Sequence, residues 1–240
     1  MVTPLKRIVK AAINRIGYDV TRVQPLKADS RCEGFQNYLA AAKKAGADVN
    51  DWLETVLRWD LTLPVLNELV FPYLESRGCV CEIGPGTGRH ARHIIPRIPQ
   101  GTLHLFDHST WIQDFLRNYF AAYCNVIVHS CDGSTLDVPS NSVDLVFSNG
   151  TFIEMKLGLI FLYAQEFGRI CKHKGYVIFD YIDISTSEGW SCLESQSCKH
   201  GNTLSYHCGH TIEKLFANAG FTLTKRRQHG KSTYVVFTKQ

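Results

Sequence analysis

Glu82-Ile83-Gly84-Pro85-Gly86-Thr87-Gly88-Arg89 joins a short apolar run, Val80 to Ile83, to a helical segment from Arg89 to Ile95 that Pro96 ends. Glycines at the end of a first strand let a ligand approach the backbone closely. The helix that follows points its free N–H groups and the positive end of its dipole into the same space. A dinucleotide fingerprint would space these glycines G-x-G-x-x-G. Here the spacing is G-x-G-x-G, and Arg89 stands where the third dinucleotide glycine belongs. A pyrophosphate site is therefore not specified, which weighs against a nucleotide-dependent oxidoreductase or epimerase.

Outward from this turn, strand-like and helical runs alternate, the signature of a parallel sheet covered on both faces. Strands are expected at 80–83, 103–106, 126–129, 143–147, 176–181, 221–225 and 233–238, the last two forming a hairpin at Gly230. Helices are expected at 111–120, 159–171 and 211–218. Upstream, 33–45, 51–59 capped by Asn50, and 63–74 interrupted by Pro72 read as a helical layer able to cover the mouth of a site. The expected fold is α/β, a doubly wound, mostly parallel seven-stranded sheet with a C-terminal antiparallel hairpin and an N-terminal helical extension. Three parts are expected: a basic amphipathic helix over 1–23, a helical cap over 24–70, and the main domain over 71–240.

Three further groups fall at strand ends, where ligands bind in open α/β sheets. Asp107, 23 residues after Gly84, can accept hydrogen bonds from both hydroxyls of a ribose. Asp132, in Cys131-Asp132-Gly133, can receive the exocyclic amine of a base. Ser148-Asn149-Gly150 ends the strand expected beside the first. Each alone reads equally as a cap or a turn residue. Their occurrence in series is what carries weight.

At these residues the chain resembles the class I S-adenosylmethionine-dependent methyltransferases, over about residues 63–240. The resemblance implies that Gly84, Gly86 and Gly88 line the methionine and ribose portions of S-adenosylmethionine. It implies that Glu82 holds the turn and the cofactor's ammonium, Asp107 the ribose hydroxyls, and that His108 flanks the adenine. Asp132 would contact the adenine amine, with Cys131 and Gly133 supplying backbone; Asn149 completes the set. The terminal hairpin also matches the family. The basic leader, the Trp59 region and 159–183 resemble, more loosely, methyltransferases of bacterial surface-glycan pathways.

Methyl transfer needs alignment, and an oxygen acceptor must also lose a proton. Tyr181 and Asp183 after the fifth strand and His207 before the last helix are the candidate bases. Asn149-Gly150-Thr151-Phe152 lacks the Pro-Pro-aromatic pattern of enzymes that methylate exocyclic amines of DNA bases and side-chain amides. The expectation is an enzyme acting on a small-molecule or sugar (glycan) acceptor by O-methylation, with a non-catalytic cofactor-binding protein as the alternative. Cys192, Cys198, His200, His207, Cys208 and His210 cluster in sequence without a standard zinc spacing, and no metal site is expected.

Composition narrows the setting. Hydrophobic residues make up 45% and charged ones 20%, ordinary for a globular protein. No apolar run approaches the ~20 residues of a membrane span. Nine cysteines without a CxxC pair argue against a disulfide framework and suggest the cytoplasm. The net charge of +4 resides in residues 1–23, where Lys6, Arg7, Lys10, Arg15 and Arg22 face Asp19 alone. The balanced remainder does not suit a nucleic-acid partner. The leader's apolar stripe, Leu5, Ile8, Val9, Ala12, Ile13 and Ile16, suits either packing on the protein or peripheral contact with the inner membrane surface.

Overall fold

The computed structural model describes residues 30–57, 61–132, 135–197, 199 and 202–240. The basic leader, Trp59, Gly133, Cys198 and His200 lie outside the described residues.

Strands β1 (Cys79–Ile83), β2 (Thr102–Asp107), β3 (Val126–Ser130), β4 (Val143–Ser148), β5 (Cys171–Asp183), β7 (Phe221–His229) and β8 (Ser232–Lys239) form one sheet in the order β3-β2-β1-β4-β5-β8-β7. A two-residue strand, β6 (Tyr206–His207), pairs with the end of β5. β1 to β5 run parallel; β8 is antiparallel to both β5 and β7. Val80 to Ile83 are all buried, as expected of a parallel strand covered on both faces.

The covering helices are α1 (Ser30–Lys44), α2 (Val49–Thr55), α3 (Thr62–Val65), α4 (Ala91–Ile94), α5 (Thr110–Tyr119), α6 (Leu157–Ile170), α7 (Ser187–Gln196) and α8 (Gly209–Asn218). Cys81, Ile83, Phe106 and Val146 pack with Ile160, Tyr163 and Phe167 of α6 and with Ile212 and Phe216 of α8. Val80, Leu105, Leu145 and Phe147 pack on the opposite side with Ala91 and Ile94 of α4 and Ile112 and Leu116 of α5. Alternate residues of one strand thus enter two cores, which makes the sheet doubly wound.

Register aligns the strand ends. Ile83 pairs with Phe106 on one side and Ser148 on the other, and Asp107 pairs with Ser130. Gly84, Asp107, Cys131 and Asn149 therefore emerge along a single carboxyl edge. β1 connects outward to β2 while β4 lies on its other flank, so the crevice opens at the topological switch point.

Several elements differ from the sequence reading. Asp48, not Asn50, caps α2, its side chain accepting from the N–H groups of Asn50 and Asp51. The run from residue 62 is α-helical for one turn, continues as a π turn (Leu66–Val70), and ends in a 3₁₀ turn that Pro72 opens. α7 and β6 are additions to the expected elements. Among the described residues no helix is long and apolar enough to cross a membrane.

Candidate active site

The glycine turn is built from backbone that only glycine adopts freely. Gly84, Gly86 and Gly88 all have positive φ, at 67°, 55° and 77°. Space adds a second constraint at Gly84, where a Cβ would lie 2.2 Å from Thr151 Oγ1. The turn is pinned from below: Gly84 N–H donates to the Phe106 carbonyl at 2.9 Å, and Ser148 Oγ donates to the Ile83 carbonyl at 2.8 Å. From above, Thr87 is held by Asn50 of α2.

The turn floors a cavity of about 500 Å³. Asp107, His108 and Ser109 line one side; Asn149, Gly150, Thr151 and Glu154 line the other; Phe35 and Tyr38 of α1 close over it. Asp107 is 7% exposed and tightly set. Its Oδ1 accepts from Ser109 N–H at 2.9 Å, and its carbonyl accepts from Gln113 Nε2 at 2.9 Å and Cys131 N–H at 3.1 Å. His108 places Nδ1 3.5 Å from Asp107 Oδ1. Ser109 caps α5, so that helix's positive end also points to the cavity.

Glu82 lies behind the turn, 1% exposed. Its Oε1 is 3.8 Å from His90 Nδ1, and its Oε2 has no hydrogen-bond partner. Burial pushes the carboxyl up to about 8 despite the pull of Arg89. Burial, aided by Arg89 and His93, pushes His90 well below the usual histidine range. Near neutral pH the pair is uncharged, and one buried carboxyl oxygen is left to be satisfied.

The other wall depends on residues the sequence reading missed. Asn149 Oδ1 accepts from Tyr234 O–H at 2.6 Å. Gly150 N–H donates to Asp180 Oδ1 at 2.7 Å, and Ser232 Oγ donates to Asp180 Oδ2 at 2.8 Å. Asp180 is buried in mid-strand; a lone aspartate in the run Tyr176-Val177-Ile178-Phe179-Asp180-Tyr181 was the available signal. Ser232 and Tyr234, on β8, gave none.

Cys131 and Asp132, expected on the adenine side, are not among the residues that line this cavity. Cys131 Sγ contacts Tyr163 O–H at 2.9 Å. Asp132 Oδ1 accepts from Thr135 N–H at 3.0 Å, and Asp132 lines a separate groove with Ser130 and Arg169.

Tyr181, Asp183 and His207 do not line the cavity, contrary to expectation. Tyr181 O–H donates to Asp183 Oδ2 at 3.2 Å. Asp183 Oδ1 accepts from the N–H groups of Ser185 and Gly209, each at 3.0 Å, and from Ser185 Oγ. Burial raises the Asp183 carboxyl, but these hydrogen bonds outweigh it and hold the group below its ordinary range. His207 Nε2 donates to the Met155 carbonyl at 3.0 Å and faces a separate groove with Lys156 and Cys208. The physical reason is β6: by pairing Asp183 with His207 it covers the end of β5 and turns these groups into a junction for α8. Among the described residues, no three His, Cys, Asp or Glu side chains are grouped to hold a metal ion.

Residues 80–175 match the methyltransferase domain family. No curated protein matches the sequence. Among solved structures, an S-adenosylmethionine-dependent methyltransferase from Aquifex aeolicus is 18% identical, with 74% of this chain and 88% of that chain covered and a TM-score of 0.57. A protein solved with the Trm112 methyltransferase activator of Haloferax volcanii is 15% identical, covering 85% and 96%, with a TM-score of 0.63. A geranyl diphosphate methyltransferase in complex with GPP and sinefungin is 8% identical, covering 72% and 77%, with a TM-score of 0.59. At these identities the structural likeness speaks for the fold, and the family match speaks for the domain.

Proposed function

We propose that the chain is a class I S-adenosylmethionine-dependent methyltransferase and that it methylates a hydroxyl of a small-molecule or sugar acceptor bound beside Glu154. The observation that carries this reading is a cavity with the glycine turn and Asp107 at one end and a carboxylate, Glu154, in its other wall.

The residues present fit the cofactor. Glu82 Oε2, buried and without a hydrogen-bond partner, would accept from the cofactor's ammonium, whose charge would draw the carboxyl into its ionised form, and left-handed Gly86 keeps a side chain out of the space under Phe35. Asp107, with its backbone locked, would accept from ribose hydroxyls; Gly84, Gly86, Gly88 and Asn149 would shape the methionine and ribose portions. His108, Cys131, Asp132 and Gly133 would serve the adenine side. When bound, S-adenosylmethionine supplies the activated methyl group. The protein's own residues then have three tasks: align the acceptor, exclude water, and receive a proton.

A hydroxyl acceptor needs a base within reach, and the wall offers one in Glu154, which the 3₁₀ turn Phe152–Glu154 places just after β4. Thr203 Oγ1 contacts Glu154 Oε1 at 3.2 Å, and Ser205 Oγ donates to its carbonyl at 3.2 Å, which orients the segment. Phe35 and Tyr38 give the mouth flat apolar faces next to these polar groups, a mixture suited to a ring that carries hydroxyls. A small acceptor also agrees with the structural neighbour that was solved with GPP.

An acceptor screen that reads out S-adenosylhomocysteine tests the reading, with Glu154→Gln as the diagnostic variant. The expected result is turnover with hydroxylated small molecules or sugars, reduced by roughly 10²–10⁴-fold in Glu154→Gln with unchanged affinity for S-adenosylhomocysteine. Turnover confined to amines, with Glu154→Gln as active as wild type, would rule out this acceptor class.

A further inference from the structure

Asn50 lies on α2, outside the matched span 80–175, and its side chain is fully buried. Its Nδ2 donates to the Thr87 carbonyl at 3.0 Å, and its Oδ1 accepts from Thr87 Oγ1 at 2.5 Å. Both polar ends of one amide are thus committed to the residue between Gly86 and Gly88. The helix itself does not call for an amide here, since Asp48 already caps α2. A buried amide is costly unless both ends are satisfied, and Thr87 satisfies both.

The same helix carries the cover of the cavity. α1 packs on α2 through Ala42, Val49 and Leu53, with Tyr38 and Trp52 rings 6.2 Å apart. Phe35 of α1 lies 3.2 Å from where a Cβ of Gly86 would sit, and Tyr38 lines the cavity. Further contacts hold α2 from the side: Tyr119 O–H donates to Asp48 Oδ2 at 3.0 Å, and Arg92 pairs with Asp51 at 2.6 Å and Glu54 at 3.0 Å. Those pairs reach the helices around the turn. Asn50 reaches the turn itself.

We propose that Asn50 is a positioning residue for cofactor binding: it fixes Thr87 at the centre of the glycine turn and couples the seating of α1 and α2 over the cavity to the arrival of the cofactor. With the amide in place, the Gly86-Thr87-Gly88 backbone is held in the conformation the cavity floor requires. Without it, the Thr87 carbonyl loses its partner, the turn relaxes, and Phe35 lifts with α2. A ligand resting on the turn stabilises the cover, and the cover stabilises the turn. This rests on the cofactor reading of the site.

The test is calorimetric titration of the full chain with S-adenosylhomocysteine, combined with amide hydrogen exchange over 34–44 with and without it. Asn50→Ala is expected to bind about five- to a hundredfold more weakly, the range for leaving a buried hydrogen-bonding group unsatisfied. It should also lose the ligand-dependent protection of 34–44. Thr87→Ser, which keeps the hydroxyl, should behave as wild type on both readouts, and Thr87→Val should fall between. If Asn50→Ala does not fold, the Ser/Val pair at residue 87 gives the same comparison. Wild-type affinity in Asn50→Ala or Thr87→Val, or weakened binding with ligand-dependent protection intact, overturns the proposal. Wild-type protein that binds no S-adenosylhomocysteine would instead overturn the cofactor reading.

Discussion

Asp107 shows how far one side chain can be read in advance. Its place after the second strand, 23 residues beyond Gly84, is legible because strand ends in such sheets gather at one edge. The structure adds that its backbone is clamped by Gln113 and Cys131, so the carboxylate has little freedom. Asp107→Ala should weaken S-adenosylhomocysteine binding by roughly 1.5–3 kcal/mol, the scale for hydrogen bonds to a charged group, with Asp107→Asn retaining part of it. Titration calorimetry decides: wild-type affinity in both variants would leave Asp107 as nothing more than the turn residue that receives Ser109 N–H. Asn50 shows the opposite limit. Local sequence offered it as a helix cap, because asparagine suits that position. Its actual partner is 37 residues away, and no local pattern announces such a contact. Tyr181, Asp183 and His207 were placed on the correct edge of the sheet, but their burial beneath α8 depends on a two-residue strand too short to leave a periodic signal.

At the scale of elements, the long apolar strands were legible because burial on both faces writes them as near-continuous hydrophobic runs. α7 was not: Ser187–Gln196 buries only Gly189 and Cys192, leaving no apolar stripe to detect. β2 and the edge strand beside it, β3, carry a feature of a different kind. His104 Nδ1 and His129 Nε2 are 2.8 Å apart, and the His129 ring stacks on Phe106 at 4.5 Å. One imidazole must donate and the other accept, so the two rings cannot both be protonated. Burial, with His129 adding to it, lowers His104 to about 4; burial also lowers His129. An unfolded histidine titrates near 6.5. Between about pH 4 and 6.5 the unfolded chain therefore binds more protons than the folded one, and stability rises with pH across that window. It is lost on acidification and flat above. Thermal unfolding followed from pH 7 to pH 4.5 should show a falling midpoint, with a shallower fall in His104→Asn. Parallel curves for the two proteins would remove the pair from the account.

Across the whole molecule, charge and topology are unevenly distributed. The net charge of +4 is carried by residues 1–23, and the rest is balanced. Basic groups beside an apolar stripe favour an anionic surface. We propose peripheral contact of this kind, and a chain lacking residues 1–17 should then bind anionic vesicles less than the full chain while keeping its affinity for S-adenosylhomocysteine. Equal sedimentation with vesicles would assign the stripe to packing. The topology has its own asymmetry. β8 lies between β5 and β7, although both precede it in the chain. During synthesis, β5 therefore leaves the ribosome with one edge bare, and its neighbour is not made until residue 232. The ring of Phe237, which stacks on Phe216 at 4.5 Å and Phe179 at 6.0 Å, arrives last of the three. Ser232 and Tyr234, which hold the Asp180 and Asn149 side of the cavity, arrive with it. The nascent polypeptide thus emerges with the glycine turn synthesised and the opposite wall unsupported, and the cavity is completed only when β8 pairs with the open edge of β5 and brings β7 with it.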